Sequence, residues 1–156
     1  MPMTCRDRES GTNKGSASEF ISSAPSPFCE TVAAHAAEGD ALCRISPVIL
    51  DAMRSEGLFR TLQPRRFGGG EADIAAFFDK QIEISATDMS TGWLAGVMGV
   101  LAFHLALFPA KAQTDVWDAN PGALMACSYM QTGKAILTSD GYELSGRWRF
   151  ASGADY

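Results

Sequence analysis

The chain has 156 residues, 46% hydrophobic and 20% charged, with a formal net charge of -5, enough to bury a modest core of one domain or a little more. An acidic balance without a concentrated basic face excludes a phosphate-backbone binder, so nucleic acid is not an expected partner. The four cysteines, Cys5, Cys29, Cys43 and Cys127, form no CxxC pair and have no histidine at a zinc-ligand spacing, which argues against both a metal site and a disulfide framework.

Residues 1–27 are rich in Ser, Gly, Thr and Pro and lack periodicity, which predicts a flexible N-terminal arm. They hold no apolar core of the secretory type, so the expected address is the cytoplasm, with free thiols. From Phe28 the pattern predicts a helix to about Arg44, with Val32, His35, Ala36 and Leu42 on a broad face and Gly39 weakening its middle. Ser46 and Pro47 read as an N-cap and first helical residue, opening a short amphipathic helix that Gly57 closes. Residues 58–64 are a connector, and PRRFGGG at 64–70 reads as a turn, because no GK[ST] follows to make a phosphate cradle. Residues 73–87 predict a helix with Ile74, Phe77, Phe78, Gln81, Ile82 and Ser85 facing inward.

Residues 90–108, STGWLAGVMGVLAFHLALF, form the longest run without a formal charge. Ser90 can cap it, Pro109 can stop it, and nothing between breaks a helix. Trp93, Val97, Val100 and His104 share one face by their spacing, with Trp93 and His104 about 16 Å apart along it. Gly92, Gly96 and Gly99 make a second, thin face suited to close approach of a neighbouring element. The run is at the short limit for a membrane span and lacks a flanking basic cluster, so a buried helix of a soluble domain is expected and no membrane partner. For His104 alone, a hydrogen-bonded core histidine is the alternative to a functional one.

Residues 111–117 predict a short helix ended by Asn120, Pro121 and Gly122. The character then changes to three short β-type runs, 124–129, 134–138 and 142–150, with a turn at Ser139, Asp140 and Gly141. In the last run Tyr142, Leu144, Trp148 and Phe150 fall on one face. The expected organisation is therefore an arm at 1–27, a helical domain at 28–120, and the start of a β domain at 121–156. The last strand runs into SGADY with open edges and no closing element, which suggests a sequence that stops inside a domain.

An α-helical domain that feeds a β domain through W-x-F-x-S-G resembles the acyl-CoA dehydrogenase fold. Two stretches, FHLALFPAKAQTDVW at 103–117 and CSYMQTGKAILTSDGYELSGRWRFASG at 127–153, resemble the oxygenase components of two-component flavin-dependent monooxygenases that hydroxylate phenols such as p-hydroxyphenylacetate or a phenolic steroid intermediate. STGW, HLALF, AQxxVW, SY and GxWxFxSG in this order carry the resemblance, over about residues 28–156. The fold class it implies is α+β: an all-α N-terminal acyl-CoA dehydrogenase-like helical domain followed by the first strands of a middle β domain. The C-terminal four-helix bundle of the relatives is absent from this sequence.

The resemblance further implies reduced FMN or FAD delivered by a separate flavin reductase, a small aromatic substrate and O2 as partners, and a homotetramer for the full-length relative. It implies hydroxylation by way of a flavin hydroperoxide in a dry pocket. His104 matches the histidine that approaches the substrate phenol, where an imidazole can take the phenolic proton near neutral pH. Ser128 matches a serine on the first β strand beside flavin and substrate hydroxyl, and Ser152 a hydroxyl near flavin N5. Phe150 stands where relatives carry a tryptophan stacked by the flavin, keeping the apolar contact without an indole donor. Further departures are Phe103 for a frequent tryptophan, and ASGADY for SSGCDH, which puts Ala154 and Tyr156 in place of cysteine and histidine. An acyl-CoA dehydrogenase or dehydrogenase-like flavin oxidoreductase, or a non-enzymatic fragment, are the alternatives; CSYMQTGKA where a dehydrogenase carries T-E-P-G-x-G-S favours the oxygenase. Trp93, Trp117 and Trp148 read as core by type, and Arg65, Arg66, Arg147 and Arg149 as solvated charge.

Overall fold

A computed structural model describes residues 25–156; the arm expected at 1–27 lies almost wholly outside the described residues. The element order is α1 (Pro27–Leu42), α2 (Pro47–Ser55), two 3-10 turns (Leu58–Arg60 and Arg65–Phe67), α3 (Ile74–Thr87), α4 (Met89–Ala106), α5 (Ala110–Trp117), β1 (Lys134–Thr138) and β2 (Gly141–Ser145). The described part is mostly helical, with one antiparallel hairpin at its end.

Local chemistry sets the helix ends. Ser26 Oγ accepts from Cys29 N at 3.4 Å and Pro27 occupies the first turn of α1, a pairing that satisfies an orphan N–H where proline needs none. The helix stops at Leu42, short of the expected Arg44, because Cys43 turns into the left-handed region with φ 51 and its N–H returns to Asp40 O and Gly39 O. Ser46 and Pro47 start α2 as their order predicts, with Ser46 Oγ accepting from Val48 N at 3.3 Å. Between α2 and α3 the chain doubles back on itself through Gly70 N to Arg60 O, Glu71 N to Gln63 O and Ala72 N to Thr61 O, at 2.9–3.0 Å. A Cβ at Gly69 would collide with the backbone of Gln63, so the triple glycine serves close backbone approach in this turn.

The centre of the fold is the antiparallel pair α3 and α4. A Cβ at Gly92 would meet Ser85, one at Gly96 would meet Gln81, and one at Gly99 would meet Phe77, so the thin glycine face of α4 rides on the Phe77, Gln81, Ser85 ridge of α3. That seam corrects the inward face expected for α3. Phe77 and Ile84 are buried, whereas Ile74, Phe78 and Ile82 are 44%, 56% and 54% exposed, because the ridge that meets α4 lies one residue, or about 100°, away from them. The core continues through Phe28, Val32, Ile49, Met53, Leu58, Leu94, Ala95 and Met98.

Helix α4 starts at Met89, not Ser90, because the carboxylate of Asp88 accepts from Thr91 N at 2.7 Å and caps it; it ends at Ala106, before the expected Phe108. It is long and apolar enough to cross a membrane. Eight of its residues, from Thr91 to Ala102, are buried against the rest of the chain, which makes it a core helix. Gln113 of α5, itself buried, donates from Nε2 to Ala106 O at 2.9 Å and Phe108 O at 2.7 Å, satisfying carbonyls left open where α4 ends.

Beyond α5 the structure departs from the three expected strands. Lys134–Thr138 pairs with Gly141–Ser145 in the register Thr138 to Gly141 through Lys134 to Ser145, but residues 124–129 and 146–150 form no ladder. The two segments are joined by side chains instead: Ser128 Oγ donates to Arg149 O at 2.6 Å and Thr132 Oγ1 to Arg147 O at 3.0 Å. The indole of Trp148 lies across Gly133 where a Cβ would stand, and that wedge takes the place of backbone pairing. Tyr142 and Leu144, the apolar face of β2, are 73% and 68% exposed.

One ion cluster ties the start of α1 to α3. Ser26 Oγ donates to Glu83 Oε1 at 2.5 Å, Lys80 Nζ to Glu83 Oε2 at 2.9 Å, and Cys29 Sγ to Glu83 Oε1 at 3.3 Å. The Ser26 hydrogen bond first, then Lys80, hold the Glu83 carboxyl down from 4.5 to about 2. A depressed folded-state pKa contributes stability above pH 4.5 that is lost as pH falls toward 2. Glu83→Gln is therefore expected to flatten the decline of the urea midpoint across that window, and an unchanged pH profile in the variant would show that Glu83 is not its source.

Candidate functional site

The open face of α4 carries Trp93, Val97, Val100 and His104. It lies away from the glycine seam: Trp93 is 64% exposed, while Val97, Val100 and His104 are half-buried. Trp93 is therefore not a core tryptophan; Trp117, at 0% exposure, is. Two segments from the end of the chain cross this face at different heights.

At the upper end, the segment after α5 brings Tyr129 against His104, with ring centroids 6.3 Å apart in an edge-on arrangement, and Phe103 flanks the imidazole at 6.5 Å. Ser128, the neighbour of Tyr129, is turned toward Arg149 O and also accepts from Met130 N at 3.3 Å. The Cys127 thiol beside it, then partial burial, push the Tyr129 phenol above its ordinary value of 10.

At the lower end, Trp93 Nε1 donates to Ser152 Oγ at 3.2 Å. The final turn is pressed onto the helices there: a Cβ at Gly153, whose φ is 92, would stand 2.8 Å from Met98 Cγ. Tyr156 Oη accepts from Ile45 N at 2.8 Å, and the Arg44 guanidinium lies 5.3 Å from the Tyr156 ring centre. A cavity of about 530 Å³ opens beside this turn, framed by Arg44, Ser46, Ser90, Trp93, Ser152 and Tyr156 among others.

The structure thus brings Ser128 to the His104 end and Ser152 to the Trp93 end of one face, and does not gather the four expected residues into a single cluster. Phe150 stands in the chain between Arg149, which accepts from Ser128, and Ser152. Its φ is 57 and its side chain is 83% exposed; a bulky residue in the left-handed region is strained, and here the ring is held outward. Sequence reasoning missed Tyr129, Arg44 and the contacts of Tyr156. Only the adjacency of Tyr129 to Ser128 carried a signal, since the others depend on contacts across more than a hundred residues. Among the described residues no group of three or more His, Cys, Asp or Glu side chains is placed to hold a metal.

The reduced-flavin group that the family resemblance implies is a planar ring system with a polar edge. Three uncovered aromatic side chains, Trp93, Tyr129 and Phe150, offer flat apolar surfaces, and Ser152, whose oxygen accepts from Trp93, can turn its hydrogen outward as a donor; both fit such a group.

No protein-family model matches the chain. Among solved structures, 3-HSA hydroxylase from Rhodococcus sp. RHA1 superposes with a TM-score of 0.78 at 35% identity, over 82% of this chain and 33% of that one. XiaF from Streptomyces sp., solved in complex with FADH2 and glycerol, superposes with a TM-score of 0.76 at 26% identity, over 81% of this chain and 32% of that one. The chain accordingly has the fold of the N-terminal part of the acyl-CoA dehydrogenase-type monooxygenases. By sequence it is 43% identical over 112 residues to the oxygenase component of the FADH(2)-dependent resorcinol hydroxylase of Rhizobium sp. strain MTP-10005, which covers 72% of this chain and 27% of that protein. It is a homologue of the oxygenase components of two-component flavin-dependent monooxygenases. The chain spans about a third of the length of the relatives it matches.

Proposed function

We propose that the chain forms the N-terminal part of an oxygenase component that uses reduced FMN or FAD to hydroxylate a small phenolic substrate. The observation that carries this reading is the open face of α4, met by Tyr129 at His104 and by Ser152 at Trp93. Reduced flavin, when bound, supplies the activation of O2. Phe150 and Trp93 offer flat apolar surface to the ring, and Ser152 a hydroxyl to its polar edge. His104 receives the proton of the substrate phenol, raising the nucleophilicity of the aromatic carbon, while Tyr129 and Phe103 keep water from the imidazole's flanks. Ser128, whose hydrogen goes to Arg149 O, stands one residue from Tyr129 and serves the substrate hydroxyl as an acceptor.

The same reading assigns the helical unit to residues 28–120 and the start of the β unit to 121–156, behind an arm at 1–27. It takes a separate flavin reductase as the source of reduced flavin, a homotetramer as the working assembly, and the cytoplasm as the compartment.

The relatives' activity belongs to chains more than twice as long, so the test is ligand binding by the chain itself. Anaerobic titration with FADH2 and with FMNH2, read by tryptophan quenching and equilibrium dialysis, is expected to give saturable binding that Phe150→Ala weakens about tenfold, or about 1.4 kcal/mol. With flavin present, resorcinol is expected to move the C2-proton resonance of His104 and leave that of His35, the other histidine of the chain, in place. Absence of saturable binding at millimolar flavin, or movement of His35 alone, would overturn the assignment.

A further inference from the structure

The hydroxyl of Ser152 has one hydrogen to give and two lone pairs to receive with, and its usefulness beside a bound ring depends on which of these is turned outward. An indole N–H is a donor only. Because Trp93 Nε1 donates to Ser152 Oγ, the lone pair on the helix side is used and the Ser152 hydrogen is free to point away from α4. The bond survives only while the final turn stays pressed on the helices, and three contacts hold it there. Gly153 packs on Met98 in a conformation, φ 92, that a side chain would strain. Arg44 Nη2 donates to Asp155 O at 3.4 Å. Tyr156 Oη accepts from Ile45 N at 2.8 Å, with its ring beneath the Arg44 guanidinium. Ile45 is buried, in the corner between α1 and α2, so its N–H needs this acceptor and the phenol is the group that supplies it.

We propose that Trp93 and Tyr156 are positioning residues for Ser152: Tyr156 latches the final turn to the corner between α1 and α2, and Trp93 fixes the hydroxyl so that its hydrogen is presented to the ring system bound against Phe150. This rests on the flavin reading for the identity of the ring and on the geometry alone for the latch and the polarity. Tyr156 therefore occupies a position where the resemblance leads one to expect histidine, and serves there as a phenolic acceptor for a backbone N–H.

The test needs no flavin. The chain has three tryptophans, Trp93, Trp117 and Trp148, so an indole-15N-labelled sample gives three N–H resonances, of which Trp117 and Trp148 are internal controls. Ser152→Ala is expected to shift the Trp93 resonance upfield and speed its exchange with water, leaving the other two in place. Ser152→Thr, which keeps the hydroxyl, is expected to restore the wild-type position. Tyr156→Phe is expected to move the Trp93 resonance toward its Ser152→Ala position, because the turn is no longer latched. A Trp93 resonance indifferent to Ser152→Ala overturns the hydrogen bond, and one indifferent to Tyr156→Phe overturns the latch. Collapse of all three resonances in Tyr156→Phe would make Tyr156 a folding residue and likewise overturn its positioning role. Failure of the flavin titration alone leaves these outcomes standing, so the two proposals fail separately.

Discussion

Gly92→Val is expected to destabilise the helical body by about 3 kcal/mol, at the upper end of what overpacking costs, read as a fall in the urea midpoint at unchanged m-value. The added Cβ would stand 2.8 Å from Ser85 Cα, a backbone atom that cannot rotate away, besides colliding with the Ser85 side chain. Helix α4 must then lift from α3, and because Trp93 is the next residue, its indole moves off Ser152. Gly96→Ala is the matched control. Its Cβ would meet Gln81 Oε1 at 3.1 Å and Cδ at 3.7 Å, the end of a flexible side chain, so it is expected to cost about 1 kcal/mol or less. Equal losses in the two variants would refute the seam as the element that sets the distance between α3 and α4.

Trp117→Ala is expected to cost about 3–5 kcal/mol. The ring is fully buried and stacks at a tilt on Phe67 with centroids 5.0 Å apart, so its removal leaves a cavity beneath α5 and the turn at Arg65–Phe67. Its Nε1, however, is buried without a partner among the described residues. Trp117→Phe therefore removes an unsatisfied donor along with part of the ring, and the two effects oppose each other. The phenylalanine variant is expected to retain well over half of the stability that the alanine variant loses, as measured by chemical denaturation; a phenylalanine loss as large as the alanine loss would mean that the indole nitrogen is satisfied in solution.

Much of the helical part was legible because its signals are local. Ser46 and Pro47 mark the start of α2 by chemistry confined to three residues, and the glycine face of α4 announces a close neighbour whatever that neighbour is. The inward face of α3 was not legible. Phe77 and Phe78 are equally apolar, and only the position of the α4 glycines decides which of them is covered. The β region was misread for a related reason: residues 124–129 and 146–150 have strand-like composition, but Trp148 over Gly133 separates them, and a wedge between residues so far apart leaves no periodic trace. For the site, spacing placed His104 on the same helix face as Trp93. The pairing of Trp93 with Ser152 joins residues 59 positions apart, and no pattern within either segment encodes it. The departure from SSGCDH at Tyr156 was visible, but its meaning appears only when Ile45 N is found beside it.

Trp93 and His104 sit eleven residues apart on one uninterrupted helix, which acts as a ruler between the end that meets Ser152 and the end that meets Tyr129. Changing a side chain at the His104 end leaves the Trp93 end untouched, so the two ends can diversify separately. A single inserted residue between them would behave differently: it would swing His104 by about 100° around the helix axis, off the open face, while leaving Trp93 in place. Point substitutions near Phe103 and His104 can thus reshape that corner without disturbing the Trp93–Ser152 pair, whereas length changes in residues 94–103 would break the register between the two ends.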